Sequence, residues 1–257
     1  LLCPDQTDTP PARTTTSFGI VATSPAMQAV LEQIRQVDSQ ELTVLIRGPT
    51  GCGKTSVHYA ALKHLATPKL KIMTIEDPIE YQINGISQIQ VNPKIELTFA
   101  RGLRSIVRQD PDVILVGEMR DFETIQLGLT AAETGLLVLG TLHTCSAAQT
   151  IDRIIDVFPT AQQPQIRTML SESLRGVIAQ LLLRKTDGKG RVAAVEVMVS
   201  NQAIKNLIRE EKTYQILSVM QTGKSQGMQT MENHMKHLVE AELVTEDEVA
   251  AYLKEIE

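Results

Sequence analysis

Residues 48–55 read GPTGCGKT, and this octapeptide constrains the fold more than any other stretch of the chain. The spacing G-x-x-x-x-G-K-[ST] closes into a loop whose successive N–H groups point inward, and such a loop serves between a strand and the N-terminus of a helix. The flanks supply both. Leu42-Thr-Val-Leu-Ile46 is a short apolar, β-rich run, and the residues from Thr55 onward (SVHYAALKHLA) read as a helix whose N-terminus faces the anion. Gly48, Gly51 and Gly53 let the backbone fold over, with Pro49, Thr50 and Cys52 between them. Lys54 brings positive charge to the outer phosphates, and the Thr55 hydroxyl is a ligand for Mg²⁺. The loop predicts a nucleoside triphosphate site.

Downstream, apolar runs alternate with helical patterns. Strands are expected at 71–75, 112–117 and 136–140, a hairpin-like stretch through 81–91, and helices near 98–109, 121–133 and from 146. Strands separated by helices imply a mostly parallel, doubly wound sheet, whose ligands sit beyond the C-terminal strand ends. Residues 1–17 are rich in Pro and Thr and read as a flexible tail. Ser24-Pro25 reads as the start of a helix through Val37. The expected ATPase core spans 18–159. From 160 to 257 a helical subdomain is expected. There Pro164 opens a helix carrying Ile166, Met169, Leu170, Leu174, Val177, Ile178 and Leu181 on one face, and a capping box stands at Thr245–Glu248.

Net charge is −5, which argues against a protein that holds nucleic acid through many phosphate contacts. Three separated cysteines (Cys3, Cys52, Cys145) offer neither a zinc site nor a disulfide framework, and a reducing cytoplasm is the default. No apolar run approaches a membrane span.

Several charged residues fall where ligands bind. Glu118 ends the run Asp112–Gly117, the place of the carboxylate that holds Mg²⁺ or orients the attacking water in phosphate-loop enzymes. Glu76 and Asp77, before Pro78, stand at another strand end. His143 follows the fourth strand and is either structural, a donor to the γ-phosphate, or a link to a neighbouring subunit. Arg101, Arg104 and Arg108, spaced i, i+3 and i+7, share one helical face, either a solvated stripe or a contact for phosphates or a neighbour's acidic face. Cys52 is either an activated thiol at a helix N-terminus or an inert small residue.

GPTGCGKT, TIEDPIEY, LRSIVRQDPDVILVGEMRDFET and AAETGLLVLGTLHTCSAAQTIDRIIDVFP resemble the phosphate loop, Asp box, Walker B and His box of the secretion-ATPase superfamily, the motors of type II secretion and type IV pili. Within it, Ala203–Glu210 (AIKNLIRE) resembles the signature of the pilus-retraction branch, with Lys205 where Arg is usual. VNPKIELTFARGLRSIVRQDPDVI also resembles the extension class. The resemblance implies a RecA-like core in a homo-hexameric ring that hydrolyses ATP with Mg²⁺ and powers pilus retraction. The alternatives are pilus extension, type II secretion, or a non-hydrolysing nucleotide-binding subunit. It assigns Lys54 and Thr55 to phosphates and metal, Glu118 to the Walker B acid and metal, Glu76 to the Asp-box acid and His143 to the His box. Of the arginine stripe read from spacing, Arg104 and Arg108 are expected toward the nucleotide. It implies an inner-membrane platform protein as partner, no nucleic acid, and a cytoplasmic site peripheral to the inner membrane.

The sequence departs from the family in two further places, its front and Leu136. Residues 1–41 are too short for the family's PAS-like domain, which supplies arginines to the phosphates. The expectation is therefore a core without that domain, which binds ATP but hydrolyses it poorly alone. Residues 19–47 instead resemble the start of the AAA+ domain of enhancer-binding transcription activators, but nothing resembles those proteins' GAFTGA loop. Leu136 stands where the family usually shows His.

Overall fold

The computed structural model describes residues 43–47, 54–144 and 146–256. The expected tail at 1–17, the helix at 25–37, the activator-like stretch up to 42, the loop residues 48–53 and Cys145 lie outside them.

Among the described residues, seven strands form one sheet in the order β3-β2-β4-β5-β1-β6-β7. Strand β1 (Thr43–Arg47) is followed by helix α1 (Lys54–Leu65), β2 (Ile72–Glu76), β3 (Ser87–Gln90), α2 (Phe99–Val107), β4 (Val113–Val116), α3 (Phe122–Glu133), β5 (Leu137–Leu142) and α4 (Ala147–Asp156). All pairings are parallel up to β1–β6, and β6–β7 is antiparallel. Strand β4 shows why its sequence is an unbroken apolar run. Ile114 and Val116 pack into the cluster that includes Leu103, Ile125 and Ile151, while Val113 and Leu115 pack with Val57, Ala61 and Leu62 of α1 on the other face. A strand covered on both sides has no polar face to display.

Two expectations are corrected. The stretch 81–91 is no hairpin: Ser87–Gln90 is a single strand running parallel to β2. The helix opened by Pro164 is α5 (Gln163–Ser173), and it ends there. Leu174–Arg184 is strand β6, and Arg191–Val199 is its hairpin partner β7. The sheet thus runs to Val199, and the helical region starts with α6 (Gln202–Arg209) rather than at 160. In β6, Val177, Ile178 and Leu181 fall in three separate clusters, so apolar residues occupy both faces and satisfy a helical spacing by default.

Helices α7 (Ile216–Thr222), α8 (Met231–Glu240) and α9 (Glu246–Ile256) follow. At α9 the Glu248 N–H donates to Thr245 Oγ1, as a capping box requires. The Glu248 carboxylate instead accepts from Arg184 N at 3.0 Å, tying α9 to β6.

Helix α8 packs on β7 through Met235 and Leu238, beside buried His234, whose Nδ1 accepts the Val195 N–H at 2.8 Å. That bond needs a free Nδ1 lone pair, and burial, aided by nearby His237, lowers the imidazole's pKa. Folding therefore favours the neutral ring. The contribution is complete above the ordinary histidine value of about 6.5 and is lost as pH falls below it, where the unfolded chain takes up the proton. We expect the urea midpoint to fall between pH 7.5 and 5.5, and this difference to shrink in His234→Gln.

Candidate active site

In the sheet order, β2, β4, β5 and β1 are consecutive, so their C-terminal ends line up along one edge. The chain leaves β1 toward the phosphate loop, and Glu76, Glu118 and His143 occur at or just after the ends of the other three. The resulting cleft is lined by Thr55, His58 and Tyr59 of α1, Glu76, Asp77, Pro78 and Glu80, Gly117 and Glu118, and Thr141 and His143. Four residues that the sequence assigns to phosphate, metal or catalysis (Thr55, Glu76, Glu118, His143) therefore share one cavity. Lys54 begins α1, and no acidic residue occupies that helix's first turn, which suits an anion.

Glu118 is held by its neighbours' backbone. Gly117 N donates to Ile75 O at 2.8 Å and Met119 N to Thr141 O at 2.9 Å, so the residues on either side are fastened to β2 and β5. The Met119 side chain is buried in the space left by two glycines. A Cβ on Gly140 would stand 2.4 Å from its sulfur, and one on Gly128 would stand 2.5 Å from its methyl. Between these anchors, Glu118 Oε1 meets His143 Nε2 at 2.7 Å and also the Arg120 guanidinium.

Glu76 is treated differently. It is buried and accepts from three neutral donors: Thr74 Oγ1 at 2.5 Å and Gln88 Nε2 at 3.1 Å on Oε1, and the Tyr59 hydroxyl at 2.5 Å on Oε2. Tyr59 also accepts the Glu80 N–H at 3.1 Å, so one phenol joins the phosphate-loop helix to the Asp box. Burial and the bond to Glu76 push this phenol up to about 12, so it remains a donor throughout the neutral range. Asp77 is exposed at the cleft rim.

Tyr59, Thr74, Gln88 and His58 were not singled out by sequence reasoning. His58 is buried, with Nδ1 3.5 Å from Thr141 Oγ1. One signal was available: Thr74 and Glu76 are polar residues inside a run that is buried throughout.

Arg104 and Arg108 do not join the cleft. With Arg101 they lie on the exposed face of α2, as their spacing requires, where Arg104 pairs with Glu123 and Arg101 with Glu96. Exposed pairs of this kind contribute at most about 1 kcal/mol. The signature at 203–210 forms α6, with Ile204 and Ile208 buried and Lys205 and Arg209 both on Glu172 at the end of α5, at 3.1 and 2.6 Å. These hydrogen-bonded cations, Lys205 first, lower the carboxyl's pKa. Lysine in place of the usual arginine thus still places a cation there. Leu136 is half-buried against the core.

Among the described residues, no group of three or more His, Cys, Asp or Glu could hold a metal alone. A site built from Thr55 and Glu118, completed by phosphate oxygens and water, fits Mg²⁺, which keeps several waters and seldom uses an all-protein cage.

The family model for type II/IV secretion system proteins matches residues 13–251. A twitching motility protein of Neisseria gonorrhoeae is 48% identical over 237 residues, covering 88% of this chain and 63% of the relative. The type IV pilus retraction ATPase PilT of Pseudomonas aeruginosa is 53% identical over 209 residues, 79% of this chain and 60% of the relative. A crystal structure of the pilus retraction motor PilT with bound ADP superposes with a TM-score of 0.76 at 44% identity, over 85% of this chain and 62% of that one. The chain thus spans less than two thirds of the length of each.

Proposed function

Since the chain belongs to the type II/IV secretion system protein family, we propose that it is the ATP-hydrolysing part of a Mg²⁺-dependent motor for type IV pilus retraction. The observation that carries this reading is Glu118, fastened between two strand ends in the cleft that Thr55 shares and held to His143 at 2.7 Å. Hydrolysis of the γ-phosphate needs the triphosphate positioned, the water oriented and the developing charge stabilised. The start of α1 and Lys54 serve the first need. Glu118 serves the second: its close contacts with Arg120 and His143 both fall on Oε1, leaving Oε2 to accept from water. His143 keeps that carboxylate turned. Mg²⁺, when bound at Thr55 and Glu118, neutralises charge on the phosphate oxygens. Retraction, rather than extension or secretion, is favoured by the 203–210 signature and by the similarity to the twitching motility and retraction proteins. The proposed assembly is a homo-hexamer against an inner-membrane platform protein, on the cytoplasmic side and without nucleic acid. No described helix is long and apolar enough to cross a membrane.

Calorimetry tests the premise. ATP should bind with Mg²⁺ present, and Thr55→Ala should weaken the Mg²⁺-dependent part by roughly 10-fold while barely changing Mg²⁺-free binding, the expected loss of one contact to a charged group. A folded chain with no affinity for ATP or ADP would remove the motor reading.

A further inference from the structure

Glu196 is a buried carboxylate on β7, at the sheet margin and remote in sequence from the phosphate loop, Asp box, Walker B and His box. Its Oε1 accepts the N–H of Ala147, the first residue of α4, at 2.9 Å. That helix already has a local cap, since Ser146 Oγ accepts the Gln149 N–H at 3.2 Å. Burying a second, charged acceptor there is costly, and capping alone does not require it. What it fixes is the turn between β5 and α4, which carries His143. On the upstream side the turn is held by the Met119–Thr141 backbone bond and by His143 on Glu118. Within it, Thr144 Oγ1 meets Thr150 Oγ1 at 2.8 Å. On the downstream side, Glu196 ties its exit to the far strand.

We propose that Glu196 is a positioning residue that holds the His143 turn so that the imidazole reaches Glu118. The role in turnover rests on the ATPase reading above, whereas the geometric role does not. Strand β7 also pairs with Gln229 through Val197, and Gln229 Nε2 donates to Val195 O. The same strand thus links the helical region after Val199 to the His143 turn.

The test compares Glu196→Leu with Glu196→Gln in the full chain, labelled with ¹⁵N-histidine, with the His143 ring signal assigned by His143→Asn. His234 is the internal control, because its ring accepts from Val195, next to Glu196 on β7. We expect E196L to displace the His143 resonance and leave that of His234 in place, while E196Q, which keeps an acceptor oxygen, moves neither appreciably. In ATP turnover, E196L should lower kcat about 10-fold with little change in KM, the signature of a displaced group, and E196Q should retain most of the activity. An unmoved His143 signal in E196L, or His143 and His234 shifting together, overturns the proposal. If the parent chain turns over no ATP, the ATPase reading falls while the histidine signals still decide the role of Glu196.

Discussion

Glu118→Gln is expected to reduce phosphate release by about 10²–10⁴-fold, the usual contribution of a positioned proton acceptor, while Mg²⁺-free ATP binding stays close to that of the parent chain. The substitution keeps the shape and an oxygen beside His143 Nε2, but the negative charge that polarises water is lost. Little stability should go with it. Arg120, the other partner, is 74% exposed and readily solvated, so the melting temperature should shift by an amount equivalent to no more than about 1 kcal/mol. The measurement is single-turnover phosphate release with chain in excess over ATP, alongside titration of a fluorescent nucleotide. This design also detects slow hydrolysis. A motor core loses release and keeps binding, whereas a subunit that merely holds nucleotide shows the same negligible release in both forms. Equal and measurable release in both would move the proton acceptor elsewhere, and Glu76, held by three neutral donors, would be the next candidate.

The sheet and its cleft were legible in the sequence where local pattern and global fold agree. Runs such as 113–116 are apolar because both faces are covered, and Glu118 and His143 stand out as the first ionisable residues after such runs. The same property defeated the reading at 174–184. A strand buried on both faces carries apolar residues at helical spacing as well as at alternate positions, so periodicity cannot discriminate. The Asp187-Gly-Lys-Gly190 turn, with Gly188 and Gly190 at φ of 67° and 90°, was the available hairpin signal. Long-range side-chain partnerships were not legible. Tyr59 reaches Glu76 and Glu196 reaches Ala147 across 17 and 49 positions, and no spacing rule connects them. Arg104 and Arg108 share a helical face, as their spacing predicts, but the expected place beside the nucleotide does not follow, because spacing does not say what that face meets.

Gly117→Ala is the second change expected to have a large effect, and its cause is a distance rather than a conformation. A Cβ at this position would lie 3.1 Å from Ile75 O and 3.2 Å from Glu76 Cα, both backbone atoms of β2. Backbone cannot swing aside as a side chain can, and β2 is held on its other edge by β3, where Val91 N donates to Glu76 O at 2.9 Å. The tips of β2 and β4 must therefore part by a few tenths of an ångström, which separates Glu118 from Glu76 and strains the Gly117–Ile75 hydrogen bond. Overpacking of this kind costs about 1–3 kcal/mol. Turnover should fall further than stability suggests, by roughly 10-fold or more, because reacting groups tolerate little misplacement. Gly140→Ala is the comparison. Its Cβ would meet the buried Met119 sulfur at 2.4 Å and Leu45 at 3.3 Å, a costly clash that nevertheless involves no backbone atom of β2. Urea unfolding and phosphate release measured on both variants should show Gly117→Ala losing more activity per unit of stability. If Gly140→Ala loses as much activity per unit of stability, the spacing of the β2 and β4 tips is not what sets the rate.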